Sequence, residues 1–272
     1  MIAVLSGALV AGSNQFLVFG AIVVSVLGFC IGSFLNVVIY RLPRGESIAT
    51  GRSHCTHCGK TIAWYDLFPL VSYLLLGGRC RYCKTAISWR YPLVEGLTAG
   101  LFLVLYRHFG LTLTLVKYLF LAALLVAISF IDLEHFLIPN SLVLSGVIFG
   151  LGVAFFVHDI SIWSALLGAV SCSGFLLLVS LVSRGGMGLG DVKLAAVTGL
   201  FLGWPLGAVG LLIGICIGGL LGIVLLATGI KGRKDPVPFG PFIALGAMIV
   251  LLWGSRIIHL LLSPMAGCWL PR

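Results

Sequence analysis

Asp132 and Asp191 are the residues of this sequence placed to do acid–base chemistry. Asp132 lies in IDLEHFLIPN (residues 131–140) and Asp191 in MGLGDVKL (187–194), each where an apolar segment meets a polar junction. The 272-residue chain has only eight acidic residues. An ionised carboxylate near a bilayer is costly, so one kept there marks a functional site. Two in matching positions can share a proton, one acting on water as a base while the other polarises a carbonyl, as in an aspartic protease. A second constellation is made of thiols. Cys55 and Cys58 in HCTHCGK, and Cys80 and Cys83 in GGRCRYCK, form two C-x-x-C pairs with residues 59–79 between them. Thiolates at this spacing, with Gly59 allowing a tight turn after the first pair, predict a tetrahedral zinc site closed by four cysteines. A closed shell is structural. His54 and His57 are nearby alternative donors, but four thiolates complete the set. Cys30, Cys172, Cys216 and Cys268 stand singly in or after apolar segments and read as packing residues.

The elements that must position these groups are apolar helices. With 60% hydrophobic and 9% charged residues, the chain is predicted to be an all-α, polytopic membrane protein rather than a soluble one. Apolar runs lie near 16–40, 93–107, 115–131, 141–157, 162–183, 191–203, 205–229 and 240–262, giving about eight transmembrane helices. The run 191–203 is too short to cross alone, although Gly203, Trp204 and Pro205 punctuate it as a turn would. Residues 1–15 lack a basic n-region and do not read as a cleaved signal peptide. Eight of the 17 Lys and Arg residues fall between Arg41 and Arg90, and Arg184, Lys193, Lys231, Arg233 and Lys234 add five on the same side. Arg107, Lys117, Arg256 and Arg272 fall on the other. By the positive-inside rule, the polar loop at about 41–92 is cytosolic and both termini lie outside. The net charge of +9 therefore orients the chain in a membrane, and nucleic-acid binding is not expected. No internal repeat of 20–50 residues is expected. The cysteine loop and the aspartate strings divide the chain into an N-terminal part, 1–110, and a C-terminal part, 111–272.

In that topology the segment ending at Asp132 exits on the cytosolic side and the segment beginning at Asp191 starts there. Both carboxylates share one membrane face. Pro139 breaks the chain after Asp132. Gly188 and Gly190 allow irregular backbone, which membrane depth tolerates only beside protein or a water-filled cavity. The plain alternatives are a helix N-cap for Asp191 and an interfacial residue for Asp132. Glu134 lies about 200° around a helix from Asp132 and is not expected at the same site. His135 could face the same way, whereas Lys193 is expected to point away from Asp191 and reach lipid phosphates. There is no HExxH string, so a zinc metalloprotease is not expected, and no Ser–His pair stands out.

At these residues the chain resembles the bacterial prepilin peptidases (type IV leader peptidases). The resemblance includes GSFLNVVIYRLPRGES at 32–47, both C-x-x-C pairs, ISWRYPLVEG at 87–96, the Asp132-to-IPN string, MGLGDVKL, and FGPFIALG at 239–246. It implies an intramembrane aspartic peptidase with Asp132 and Asp191 as the catalytic pair. Such an enzyme removes the short basic leader of prepilins or pseudopilins at the cytosolic face of the bacterial inner membrane, between a Gly and usually a Phe. A basic leader held at the anionic face, with its apolar helix in lipid, would present that junction there. The resemblance further implies N-methylation of the new terminus with S-adenosylmethionine by the N-terminal part, pointing to the GSFLN string and the segment leading to Glu95. Asn36 and Glu95 are the polar groups there, while Gly28 and Gly32 form a G-x-x-x-G that reads as helix contact. Two departures from the family pattern stand out: Asn140 replaces a more usual Asp after Ile-Pro, and LGGRC lacks a basic residue before its second glycine. Two other function classes fit the bare sequence, an aspartate-dependent transporter and a zinc-stabilised scaffold of a pilus or secretion assembly. The one-face aspartates favour the enzyme.

Overall fold

Each of the eight apolar runs forms a helix in the computed structural model, which describes residues 2–183, 187–230, 232 and 235–266. Cys268 and the basic residues Arg184, Lys231, Arg233, Lys234 and Arg272 lie outside the described residues. Extended pairing among the described residues is limited to two isolated bridges, His54 with Thr61 and Arg79 with Ala86. Among the described residues, four helical stretches are long and apolar enough to cross a membrane: Gln15–Arg44, Leu113–His135, Ile162–Val182 and Leu206–Ala227. The helix over Asn140–Phe156 is apolar but shorter. The 14 residues of Leu189–Leu202 rise only about 21 Å at ~1.5 Å per residue, against a hydrocarbon core of about 30 Å. Among the described residues, shortness sets Asn140–Phe156 and Leu189–Leu202 apart from the four clear spans, and lower mean hydropathy does the same for the 20-residue helix Arg90–Phe109. The chain forms two compact units, Met1–Ala127 and Ile128–Arg272.

In the first unit, helix α1 (Ile2–Arg41) packs against α3 (Arg90–Phe109). Gly20, Val24, Gly28 and Gly32, at four-residue steps, are all buried and form one seam. A Cβ at Gly28 would lie 2.6 Å from Ala99 Cα, and one at Gly32 would lie 2.7 Å from Glu95 Cα. The G-x-x-x-G thus lets two backbones approach closely, as small residues do between membrane helices. Tyr106 closes the far end by donating its hydroxyl to the Leu17 carbonyl at 3.2 Å. Where α1 ends, the Arg41 guanidinium, 7% exposed, donates to the carbonyls of Ser47, Thr50, Gly51 and Arg52. One buried side chain therefore fixes the chain entering the cysteine loop. A short helix α2 (Val71–Leu75) follows that loop's first half. Helix α4 (Leu113–His135) begins in this unit and ends in the second.

The second unit is a bundle of α5 (Asn140–Phe156), α6 (Ile162–Val182), α7 (Leu189–Leu202), α8 (Leu206–Ala227) and α9 (Gly240–Ala266). Helix α7 touches all four of the others and is buried all round over most of its length. Such a helix belongs to a bundle interior. Glycines make the close crossings: a Cβ at Gly168 or Gly199 would overlap the facing backbone of α7 or α6, one at Gly246 would overlap that of α8, and one at Gly210 would come within 3.2 Å of α9. The turn expected at 203–205 is present, with Gly203 at φ +71° between α7 and α8. Large apolar side chains on α1, α6 and α8, among them Phe19, Leu178 and Ile223, point outward as lipid-facing residues would.

Candidate functional site

Asp132 sits in the last turn of α4 and is 5% exposed. The helix stops one turn on: Phe136 donates its N–H to the Asp132 carbonyl at 2.9 Å while adopting φ +51°. A bulky residue in the left-handed region is strained and normally gives way to glycine there. Asp191 lies in the first turn of α7, whose N-cap position is Gly188 with no side-chain cap. Asp191 is therefore the third residue of the helix rather than its N-cap, and its carboxylate lies back against Gly188. Gly190 packs on Ile138, to which a Cβ would come within 3.0 Å, so the α7 entry lies flat against the α4–α5 junction. Asp132 and Asp191 line one cavity of about 260 Å³ with Phe136, Leu137, Asn140 and Lys193. Glu134 and His135 are exposed and do not line it. Lys193 is a correction to the sequence reading: its ammonium donates to Asn140 Oδ1 at 2.8 Å, so it turns toward the cavity rim. The sequence reading also gave no role to the N–H of Gly240, which donates to Asp132 Oδ2 at 2.8 Å. The signal available was a glycine followed by a proline at the start of an apolar helix, in FGPFIALG.

The cysteine loop is built from two equivalent turns at a 25-residue offset. Cys55 N–H donates to Lys60 O, Gly59 N–H to Cys55 O and Ile62 N–H to Ser53 O; Cys80 to Thr85, Lys84 to Cys80 and Ile87 to Gly78 repeat the pattern. This two-copy repeat is another feature the sequence reading did not expect. Gly59 takes φ +69° as its tight turn requires, and Lys84 takes the same conformation at φ +59° without being glycine. The four Sγ atoms of Cys55, Cys58, Cys80 and Cys83 lie within 4.8 Å of one another and could hold a metal ion. Cys55 Sγ and Cys83 Sγ are 3.8 Å apart, the edge of a tetrahedron with sulfurs ~2.3 Å from its centre. The Thr85 hydroxyl beside Cys83 holds its thiol down to about 6, in the range where thiolate, the metal-binding form, prevails. Beside the second turn, Arg81 forms a bidentate pair with Asp66 at 2.8 and 2.6 Å, which holds the Asp66 carboxyl below the usual range.

Asn36 and Glu95 line a second, larger cavity of about 620 Å³ in the first unit. Asn36, 2% exposed, donates through Nδ2 to the Tyr91 carbonyl at 3.1 Å, and its Oδ1 is buried with no hydrogen-bond partner. Glu95, 7% exposed, accepts the Leu70 N–H at 2.7 Å. Leu70 itself is strained at φ +57°, ψ −46°, so Glu95 holds a tight turn in the cavity wall. Nothing in the local sequence signals Leu70.

Residues 26–109 match the Bacterial Peptidase A24 N-terminal domain, and residues 119–223 match the Type IV leader peptidase family. Curated relatives include the prepilin leader peptidase/N-methyltransferase of Myxococcus xanthus, 44% identical over 79% of this chain and 66% of that protein. The protein of the same name from Pseudomonas aeruginosa is 37% identical over 85% of this chain and 90% of its own length. That from Bacillus subtilis is 34% identical over 89% and 98%. No solved structure matches the chain.

Proposed function

Because the chain belongs to the type IV leader peptidase family, we propose that it removes the basic leader of prepilins or type II secretion pseudoprepilins and methylates the new N-terminus. The observation that carries the peptidase half is that Asp132 and Asp191, from different helices, line one 260 Å³ cavity. One carboxylate takes a proton from water as its oxygen attacks the scissile carbonyl carbon; the protonated partner hydrogen-bonds the carbonyl oxygen as charge develops on it. The tetrahedral intermediate then collapses, breaking the C–N bond, with a proton passing to the departing amine. The strained α4–α5 junction and the Gly188–Gly190 segment border the cavity, where an extended peptide would pair with exposed backbone. We assign this chemistry to residues 111–272 and methylation to residues 1–110.

For methylation, S-adenosylmethionine supplies the methyl group. The 620 Å³ cavity is within the usual size of a small-molecule site. The unpartnered Asn36 Oδ1 fits a ligand hydrogen-bond donor, and Glu95 keeps the wall in shape. Four thiolates from Cys55, Cys58, Cys80 and Cys83 would hold a structural Zn²⁺. We place the protein in the inner membrane with about eight crossings, the cysteine loop and both aspartates at the cytosolic face. The basic cluster from Arg41 to Arg90 supports that orientation.

Co-expression with a prepilin tests the peptidase reading. Wild type should remove the leader, and Asp132→Asn and Asp191→Asn should leave it intact at normal abundance. Cleavage by either variant contradicts the shared-proton pair, and an inert wild type contradicts the peptidase.

A further inference from the structure

We propose that Gly240, the first residue of α9, is the positioning residue for Asp132: its N–H fixes Oδ2 and leaves Oδ1 as the oxygen that exchanges the proton. This rests on the reading of Asp132 as catalytic. The first N–H groups of a helix have no intrahelical acceptor. Here Pro241 has no N–H, and Phe242 and Ile243 donate to the Phe239 carbonyl at 3.0 and 3.2 Å. Gly240 is then the one donor of that turn left for an outside partner. It meets Asp132 Oδ2 at 2.8 Å in a buried setting. Proline at the second position makes the grip single, so one carboxylate oxygen is held and, among the described residues, no donor reaches the other.

The consequence is chemical. An oxygen accepting this N–H does not also carry the acid proton toward it. When Asp132 acts as base, the O–H bond of water breaks and its proton goes to Oδ1. When Asp132 is the acid, the proton leaves from Oδ1 to the substrate oxygen. A fixed Oδ2 sets where that proton sits, and positional errors near 1 Å can cost about 10²-fold in rate.

Asp132 is what a side chain at Gly240 would meet first. A Cβ at Gly240 would lie 2.9 Å from Asp132 Oδ2 and 3.4 Å from its Cβ and Cγ, and these are the three nearest atoms. Any side chain at 240 therefore pushes on Asp132 first.

The test is steady-state cleavage of a prepilin by the full-length Gly240→Ala protein in detergent, with methylation of an already cleaved pilin peptide measured on the same sample. We expect kcat to fall about 10- to 100-fold with KM within about twofold and methylation unchanged. Gly222→Ala, whose Cβ would meet nothing within 4 Å, should behave as wild type. A wild-type kcat in Gly240→Ala, or a raised KM with kcat unchanged, overturns the inference. Loss of methylation together with cleavage also overturns it, since the damage would then be to the fold. If Gly240→Ala does not accumulate, the double variant Asp132→Ala/Gly240→Ala should restore abundance; failure to do so means that Asp132 is not what the added methyl meets. The underlying catalytic reading fails separately, if Asp132→Asn cleaves at the wild-type rate.

Discussion

The cysteine loop and the aspartate cavity bring their key groups together by opposite means. In the loop each C-x-x-C pair is set by its own turn, and the two turns repeat the same three backbone hydrogen bonds at a 25-residue offset. At the cavity nothing is local. Asp132 ends α4, Asp191 begins α7, and the N–H that grips Asp132 opens α9. Glycine works differently in each region as well. Gly59 serves a positive φ, whereas Gly168, Gly199, Gly210 and Gly246 serve close approach of helices. Local geometry brings four thiols together from two short peptides; bringing two carboxyl groups to one cavity takes an entire packed bundle.

That contrast predicts separable damage. The largest effect is expected at Asp191→Asn, which should lower prepilin cleavage by at least about 10³-fold while leaving abundance intact, measured by the mass of the processed pilin. Cys80→Ser should abolish bound zinc, read by metal analysis of the purified chain, and lower methylation more than cleavage. Stoichiometric zinc in that variant would break the four-thiolate account. Gly199→Ala, on the α6–α7 crossing, forces backbones apart and should destabilise the second unit by about 1–3 kcal/mol, seen as reduced abundance and a lower thermal midpoint. In the loop, Lys84→Gly removes a left-handed non-glycine residue and should tighten metal retention against a chelator by about 1 kcal/mol. The smallest effect is expected at Asn140→Asp. It converts the Lys193 hydrogen bond into an exposed ion pair worth about 0–1 kcal/mol, and should alter cleavage less than tenfold.

How far the sequence could be read follows from the same contrast. The four cysteines were legible because two residues between thiols leave little geometric choice. The aspartates could be paired from the sequence because counting apolar runs assigns both to one side, and the structure lines one cavity with them. Gly240 was not legible, because its partner is more than a hundred residues away and its role is a backbone N–H rather than a side chain. Lys193 was misjudged because helical phase was reckoned from Asp191 alone, whereas the α5 start brings Asn140 to it. Leu70, Lys84 and Phe136 were silent for a related reason. Each is an ordinary residue held at positive φ by its surroundings, and side-chain type carries no trace of that.

The central claim is that cleavage and methylation belong to different residue sets on one chain. Its most direct test gives the purified Asp132→Asn protein, with S-adenosylmethionine, a pilin peptide that already begins at the mature phenylalanine. The account predicts methylation at the wild-type rate alongside no cleavage of intact prepilin. Loss of methylation in this variant at normal abundance would contradict it.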